Sequence, residues 1–124
     1  MLTLPIKKKW FDMIKSGEKK EEYREIKPYY ASRFFKNYID SGCSLKWVLE
    51  NNPKVYTHII IRNGYSNNSP TIECYVRITK GYGKEEWGVE PNKEYYVLQI
   101  LKVEDYNERW NKRMFRQFIL SRWL

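Results

Sequence analysis

The segment GEKKEEYR, residues 17–24, lies where a predicted helix meets a predicted strand, and the interpretation of the chain depends on it. It follows the apolar run WFDMIKSG, in which Trp10, Met13 and Ile14 recur at helical spacing. Gly17 favours the left-handed conformation that ends many helices. The residues that follow, KKEEYREI, are expected to form a strand. Six of the eight residues in the segment are charged, and two interpretations can explain why opposite charges are concentrated at this junction.

Alternation along the strand would place Lys20, Glu22 and Arg24 on one face, with cation, anion and cation in a row. If that face is half-buried, the charges must pair with one another or with a ligand, because isolated buried charge is costly. Such a row can bind the donors and acceptors of a nucleobase edge, and a desolvated lysine can act as a base or nucleophile. The structural alternative is an exposed edge strand whose alternating charges discourage aggregation.

The rest of the pattern predicts one α+β domain spanning residues 1–124. Pro5 can sit near the first turn of the first helix, and Pro28 opens a second helix with Tyr30, Phe34 and Tyr38 on one stripe. Residues 40–54 are expected to be an irregular connection or a short helix. Because helices and strands do not alternate regularly, an α+β fold is favoured over a doubly wound sheet. Several strands in so short a chain indicate a small, partly closed barrel with helices at its edges. Strands are expected at 3–6, 56–62, 71–79 and 93–103, and a last helix with a basic face at 107–121.

The composition of the chain indicates which kinds of partner it can bind. The net charge is +8, and the chain holds 11 Tyr, 5 Trp and 5 Phe, a combination that favours nucleic acid as a partner. Cys43 and Cys74 form no close pair and His58 is the single histidine, so we expect no metal, no cofactor and a reducing cytoplasmic environment. The N-terminus lacks a signal-peptide pattern, and no apolar run approaches the ~20 residues of a membrane span.

Read as G-x-K-x-x-E-x-R, the segment resembles the motif of the ASCH domain family, relatives of the PUA-like barrels, through Gly17, Lys19, Glu22 and Arg24. The preceding apolar helix and the following strand agree with it, and the match is clearest over residues 4–30. The resemblance implies a small PUA-like β-barrel with flanking helices, in which the motif lines a cleft. It selects Lys19 for the cleft, whereas strand alternation selects Lys20. Both hold only if the chain bends or bulges between residues 19 and 21.

The resemblance implies RNA or a nucleoside-type ligand as the partner. Some family members are enzymes: one branch resembles an amidohydrolase acting on acetylated cytidine, and another is linked to RNA cleavage. In the amidohydrolase branch a Lys acts with a Thr three residues on and with a distant Glu. Lys19 matches that Lys, but Glu22 stands at the Thr position, which removes the hydroxyl. The distant Glu stays unassigned among Glu85, Glu86, Glu90 and Glu94.

Three hypotheses follow. The leading one is an RNA- or nucleobase-binding protein with a charged cleft. The alternative is a hydrolase of modified nucleosides, or a ribonuclease, with Lys19 as catalytic base and Glu22 as its partner. The third is a protein that uses exposed aromatic residues on a protein partner.

Further candidates lie outside the motif, and each also has a structural interpretation. Trp10 follows a lysine run and can stack under a base, or it can belong to the core. Arg62 and Tyr65 flank a predicted turn at Asn63-Gly64, where ligand contacts are common. Trp87 lies in a glycine-rich loop and can cap a cleft or pack its loop onto the sheet. The predicted ligand-binding set is Trp10, Lys19, Lys20, Glu22, Arg24, Arg62, Tyr65 and Trp87.

Overall fold

The computed structural model describes residues 1–105, and the helix predicted at 107–121 lies outside the described residues. One five-stranded sheet curls into half a barrel, and four α-helices lie beside it within this range. The fold is therefore α+β, as predicted. The strands are β1 Leu2–Ile6, β2 Glu21–Arg24, β3 Val55–Asn63, β4 Thr71–Tyr82 and β5 Glu94–Asp105. The helices are α1 Lys8–Ser16, α2 Pro28–Phe34, α3 Lys36–Asp40 and α4 Leu45–Asn51, with a 3-10 turn at Glu85–Trp87.

The order of the strands is β1-β3-β4-β5-β2, so β1 and β2 form the two edges of the sheet. β1 pairs in parallel with β3, and the other pairs are antiparallel. Because the sheet curls, its edges approach each other: Arg24 Nη2 on β2 donates to the Pro5 carbonyl on β1 at 3.1 Å. The opening of the half-barrel therefore lies between β1 and β2, next to the charged motif.

The core lies on one face of the sheet. The predicted apolar face of β4 is confirmed, because Ile72, Cys74, Val76 and Ile78 are all buried, and Glu73 on the other face is buried as well. Apolar side chains of α1, α2 and α4 pack in the same core cluster, including Phe11, Ile14, Ala31, Phe34 and Val48. Tyr96 and Leu98 of β5 belong to this cluster as well. The residues of β2 that pair with them therefore lie on the core face of the sheet.

Two local predictions were wrong. The helix opened by Pro28 does not continue to Tyr38, because Phe35 leaves helical geometry with φ −112° and ψ 28°, and Tyr38 lies in α3 instead. The strand predicted at 3–6 is present as β1, but Pro5 lies within it and not near the first turn of a helix. An edge strand allows this because proline lacks the N–H that a central ladder needs. Within residues 1–105 no helix has the length and apolar character needed to cross a bilayer.

The buried thiol of Cys74 makes the fold sensitive to alkaline pH. Burial raises the pKa of Cys74 from 9.0 to about 12. Above about pH 9 the unfolded chain releases this proton while the folded chain keeps it, so stability falls as pH rises. We expect Cys74→Ala to be less stable than the parent near pH 7, but to lose stability less steeply from about pH 9 upward, by as much as ~1.4 kcal/mol per pH unit. Urea unfolding across this range measures both slopes, and parallel slopes would contradict the assignment.

Candidate ligand-binding cleft

The turn between α1 and β2 sends Lys19 into the interior. Gly17 ends α1 with φ +86°, and the Lys19 amide donates to the Met13 carbonyl at 2.9 Å. The Lys19 side chain then has no exposed surface, and its Nζ lies 3.2 Å from Glu22 Oε1. Nζ also donates to the carbonyl of Glu21. The junction therefore folds its first motif lysine against its motif glutamate.

Glu22 and Arg24 lie on the core face of β2, because they pair with Leu98 and Tyr96 of β5. Glu22 Oε1 accepts from the Tyr23 amide at 2.9 Å, and Oε2 lies 3.4 Å from Arg24 Nη1. The Glu22 carboxylate thus sits between the Lys19 ammonium and the Arg24 guanidinium. Three of the six charged side chains of the segment therefore form one ion-paired group, with two cations around a single carboxylate.

Lys20 does not join this group. It is exposed, and its carbonyl accepts from the Ile100 amide at 2.8 Å. Strand alternation grouped Lys20 with Glu22 and Arg24, but β2 begins only at Glu21, so the alternation does not extend back to it. The spacing taken from the motif identified the inward-facing lysine.

Tyr23 lies on the opposite face of β2, and its ring packs against Lys19. Its hydroxyl donates to Glu21 Oε1 at 2.7 Å and accepts from the Lys84 amide at 3.1 Å. Lys19 Nζ lies 5.0 Å from the centre of the Tyr23 ring and 5.6 Å from that of Trp10. Two aromatic rings and one carboxylate therefore enclose the ammonium.

Burial at this position changes the affinity of the Lys19 and Tyr23 side chains for a proton. Burial lowers the pKa of Lys19, the nearby Arg24 charge acts in the same direction, and the charge and hydrogen bond of Glu22 partly offset both. Burial raises the pKa of Tyr23. The Lys19 ammonium therefore loses its proton more readily than that of an exposed lysine, and Glu22 holds it in place.

A cleft of about 970 Å³, here named the main cleft, opens between the edge strands β1 and β2. Of the described residues that line it, five are basic and one, Glu22, is acidic. Aromatic rings supply much of the remaining wall. The basic residues are Lys7, Lys8, Arg24, Lys27 and Arg33, and the aromatic ones are Trp10, Tyr23, Tyr29, Tyr30, Tyr65, Trp87 and Tyr95.

Five members of the predicted ligand-binding set line the main cleft, and three do not. Lys19 lies behind Glu22 without reaching the cleft surface, and Lys20 faces solvent. Arg62 is half-buried on β3 opposite Pro5, and its Nε has no hydrogen-bond partner within the described part of the chain. The lining members are Trp10, Glu22, Arg24, Tyr65 and Trp87.

The three aromatic members differ in accessibility. Tyr65 is 89% exposed on the loop after β3. Trp87 is buried in the 3-10 turn, with Lys84 Nζ 4.6 Å from the centre of its ring. Trp10 packs against the backbone of Gly88, where an added Cβ would lie 2.9 Å from Trp10 Cζ2. Tyr65 is thus free to meet a ligand from solvent, whereas the two tryptophans form fixed walls.

Sequence reasoning missed the wall supplied by α2. Arg33 Cζ lies 3.5 Å from the centre of the Tyr29 ring, and Lys27 Nζ lies 5.4 Å from that of Tyr30. Tyr29 and Tyr30 pack edge to face at 5.0 Å. The signal was present in KPYYASR, residues 27–33, where two cations flank a pair of tyrosines shortly after the motif.

The site offers little to a metal ion. Among residues 1–105 no three His, Cys, Asp or Glu side chains converge as a metal centre would need. The one carboxylate among the described lining residues, Glu22, already faces two cations. The cleft is therefore suited to a ligand that brings anionic groups and flat rings.

Comparison of the chain with family models, with curated proteins and with solved structures found no match. The assignment of function therefore depends on the geometry of the main cleft.

Proposed function

We propose that the chain is an ASCH-like domain whose main cleft binds RNA or another nucleobase-containing ligand. The observation that supports this most directly is the composition of the cleft wall: five basic side chains and one carboxylate among the described residues, interleaved with aromatic rings. Lysine and arginine side chains contact phosphates, and aromatic rings stack on bases of any sequence. A volume of about 970 Å³ is also sufficient for a nucleotide, since small-ligand pockets span roughly 300–1,000 Å³.

The floor of the cleft supplies a place for the edge of a base. A carboxylate has about four acceptor positions. Glu22 Oε1 uses two of them on Tyr23 N and Lys19 Nζ, while Arg24 Nη1 lies 3.4 Å from Oε2 as an ion pair and leaves a position on Oε2 unused. The remaining position can accept from the exocyclic amine of a base. Arg24 is 14% exposed, and its guanidinium can donate to a carbonyl or an anionic group beside that amine.

Binding of labelled single-stranded RNA tests the proposal. We expect saturable binding at about 50 mM salt that weakens markedly at about 200 mM, because phosphate contacts release counterions. Lys27→Glu should lower the affinity about tenfold at low salt, through the loss of one cation contact and the added repulsion. Fluorescence anisotropy at both salt concentrations measures these values.

Lys46→Glu is the matched control. Lys46 lies on α4 outside the main cleft and is ion-paired to Glu50, much as Lys27 is ion-paired to Glu25. Both substitutions change the net charge equally. Equal losses of affinity would show that total charge, and not the cleft, attracts RNA. The absence of saturable binding at low salt would exclude the proposed function.

Catalysis in the same cleft is the second proposal, and the lowered pKa of Lys19 favours it. A lysine with a lowered pKa can serve as a general base. However, the Lys19 side chain has no exposed surface, so binding is the function that the geometry supports better. Product formed from acetylated cytidine or an RNA oligomer, at a rate that Lys19→Met abolishes, would establish the catalytic alternative.

A further inference from the structure

A second concavity continues from the main cleft. This side groove has a volume of about 900 Å³ and lies between β1, β3 and helices α2 and α3. Leu2 of β1 and Arg33 of α2 line both the groove and the main cleft, so the two adjoin at these residues. A ligand larger than one nucleotide can therefore extend from one into the other.

Arg33 is held at the junction between the two concavities. Its guanidinium stacks at 3.5 Å on the centre of the Tyr29 ring, and Nη1 donates to the Tyr29 carbonyl at 2.7 Å. These contacts orient the planar fork and leave other N–H groups for an anion. An arginine fixed in this way suits a phosphate that passes from the main cleft to the side groove.

The side groove carries groups of the kind that contact a nucleic acid backbone. Lys36, Asn37 and His58 line it together with Arg33. Asp40, its one acidic lining residue among those described, lies 2.7 Å from Lys36 Nζ. Both members of this pair are exposed, so the ion pair contributes little to stability. A phosphate can therefore take the place of the Asp40 carboxylate beside Lys36.

We infer that the occupant is a single RNA strand of several nucleotides that places one base in the main cleft and runs past Arg33 into the side groove. This inference rests on the proposed function and specifies its substrate class. Each concavity alone approaches the upper end of the volumes that small ligands fill, so the two together exceed the size of a free nucleotide. The strand gains affinity from phosphate contacts that a mononucleotide lacks.

The test compares a nucleoside monophosphate with a single-stranded RNA of about nine nucleotides, a length within the site sizes of small binding domains. Two additional phosphate contacts should make the RNA bind about 25-fold more tightly at ~0.1 M salt. Lys36→Gln should weaken RNA binding about fivefold and reduce the salt slope by about 0.7. The same substitution should leave the affinity for the monophosphate unchanged. Isothermal titration calorimetry for the monophosphate and anisotropy for the RNA provide the readouts.

Lys46→Gln is the control, because Lys46 is also exposed and ion-paired to a carboxylate four residues on, but lies outside both concavities. Equal effects of the two substitutions on RNA would overturn the inference. So would equal affinities for RNA and monophosphate, although the proposed function would then stand. If neither ligand binds, the proposed function fails and the inference fails with it.

Discussion

Replacing Glu22 with glutamine is expected to destabilise the protein by about 3–5 kcal/mol near neutral pH. The substitution keeps the shape and the acceptor for the Tyr23 amide, but removes the charge that faces Lys19 Nζ at 3.2 Å and Arg24 Nη1 at 3.4 Å. Lys19 then becomes a cation with no exposed surface and no facing carboxylate. Removing one partner of a buried pair costs more than the pair contributes, because the other charge remains desolvated.

The destabilisation should depend on pH in a defined direction. The pKa of Lys19 is already below 10.5 in the folded protein, and loss of the Glu22 charge lowers it further. Between the folded pKa and 10.5 the unfolded chain binds more protons, so stability rises with pH in that window. The difference between Glu22→Gln and the parent should therefore shrink from about pH 7 to about pH 10. Urea unfolding at both pH values measures it.

A double variant tests whether the destabilisation comes from the unpaired charge of Lys19. Lys19→Met with Glu22→Gln removes both charges and keeps the acceptor for the Tyr23 amide. We expect it to recover about 2–3 kcal/mol relative to Glu22→Gln alone, since neighbours in one network are non-additive. The double variant should fold but bind RNA weakly, because the carboxylate acceptor of the main cleft is gone. Strictly additive losses would show that the two side chains do not act as a pair.

Gly83→Ala should have the second-largest effect, a loss of about 2–3 kcal/mol. A Cβ at Gly83 would lie 2.6 Å from Tyr23 Cε1 and 2.7 Å from Val89 Cγ1. The Tyr23 ring cannot yield easily, because its hydroxyl is hydrogen-bonded to both Glu21 and the Lys84 amide. The loop that follows β4 would have to move away from β2, and the bond from the Lys84 amide would lengthen.

Gly81→Ala provides the comparison two residues earlier in β4. A Cβ at Gly81 would meet only Val97 Cγ2, at 3.8 Å, which is ordinary van der Waals contact. We expect a change of less than about 1 kcal/mol, of either sign. Denaturant unfolding of both variants checks the pair. If Gly81→Ala costs as much as Gly83→Ala, the contact with Tyr23 does not explain the loss, since the entropy change of the unfolded chain alone would stabilise both variants.

Local periodicity was enough to predict the long strands. The alternation of residues 71–79 identified the buried apolar side chains of β4, and the β-branched run at 56–62 located β3 within one residue at each end. The break between α2 and α3 was not predictable in this way. Tyr30, Phe34 and Tyr38 keep helical spacing across it, and the geometry of Phe35 reflects its packing in the core.

The candidate site was predictable only in part. The motif spacing identified Lys19, Glu22 and Arg24 as neighbours, and they lie together around the Glu22 carboxylate. The cation–ring pairs of α2 face the same cleft because β1 and β2 meet across the opening of the sheet. That meeting joins residues 19 positions apart, and no local pattern reports it. Kinship with the ASCH family stays a prediction.

The contact between Arg24 and Pro5 has a consequence for self-association. An unclosed sheet exposes rows of amides and carbonyls that can recruit a strand from another molecule. On β1 the proline supplies no amide hydrogen, and its carbonyl already accepts from Arg24 Nη2. A strand from another molecule would find neither a free donor nor a free acceptor at Pro5. The Arg24 guanidinium, which helps to shape the binding site, therefore also disfavours polymerisation through this edge of the sheet.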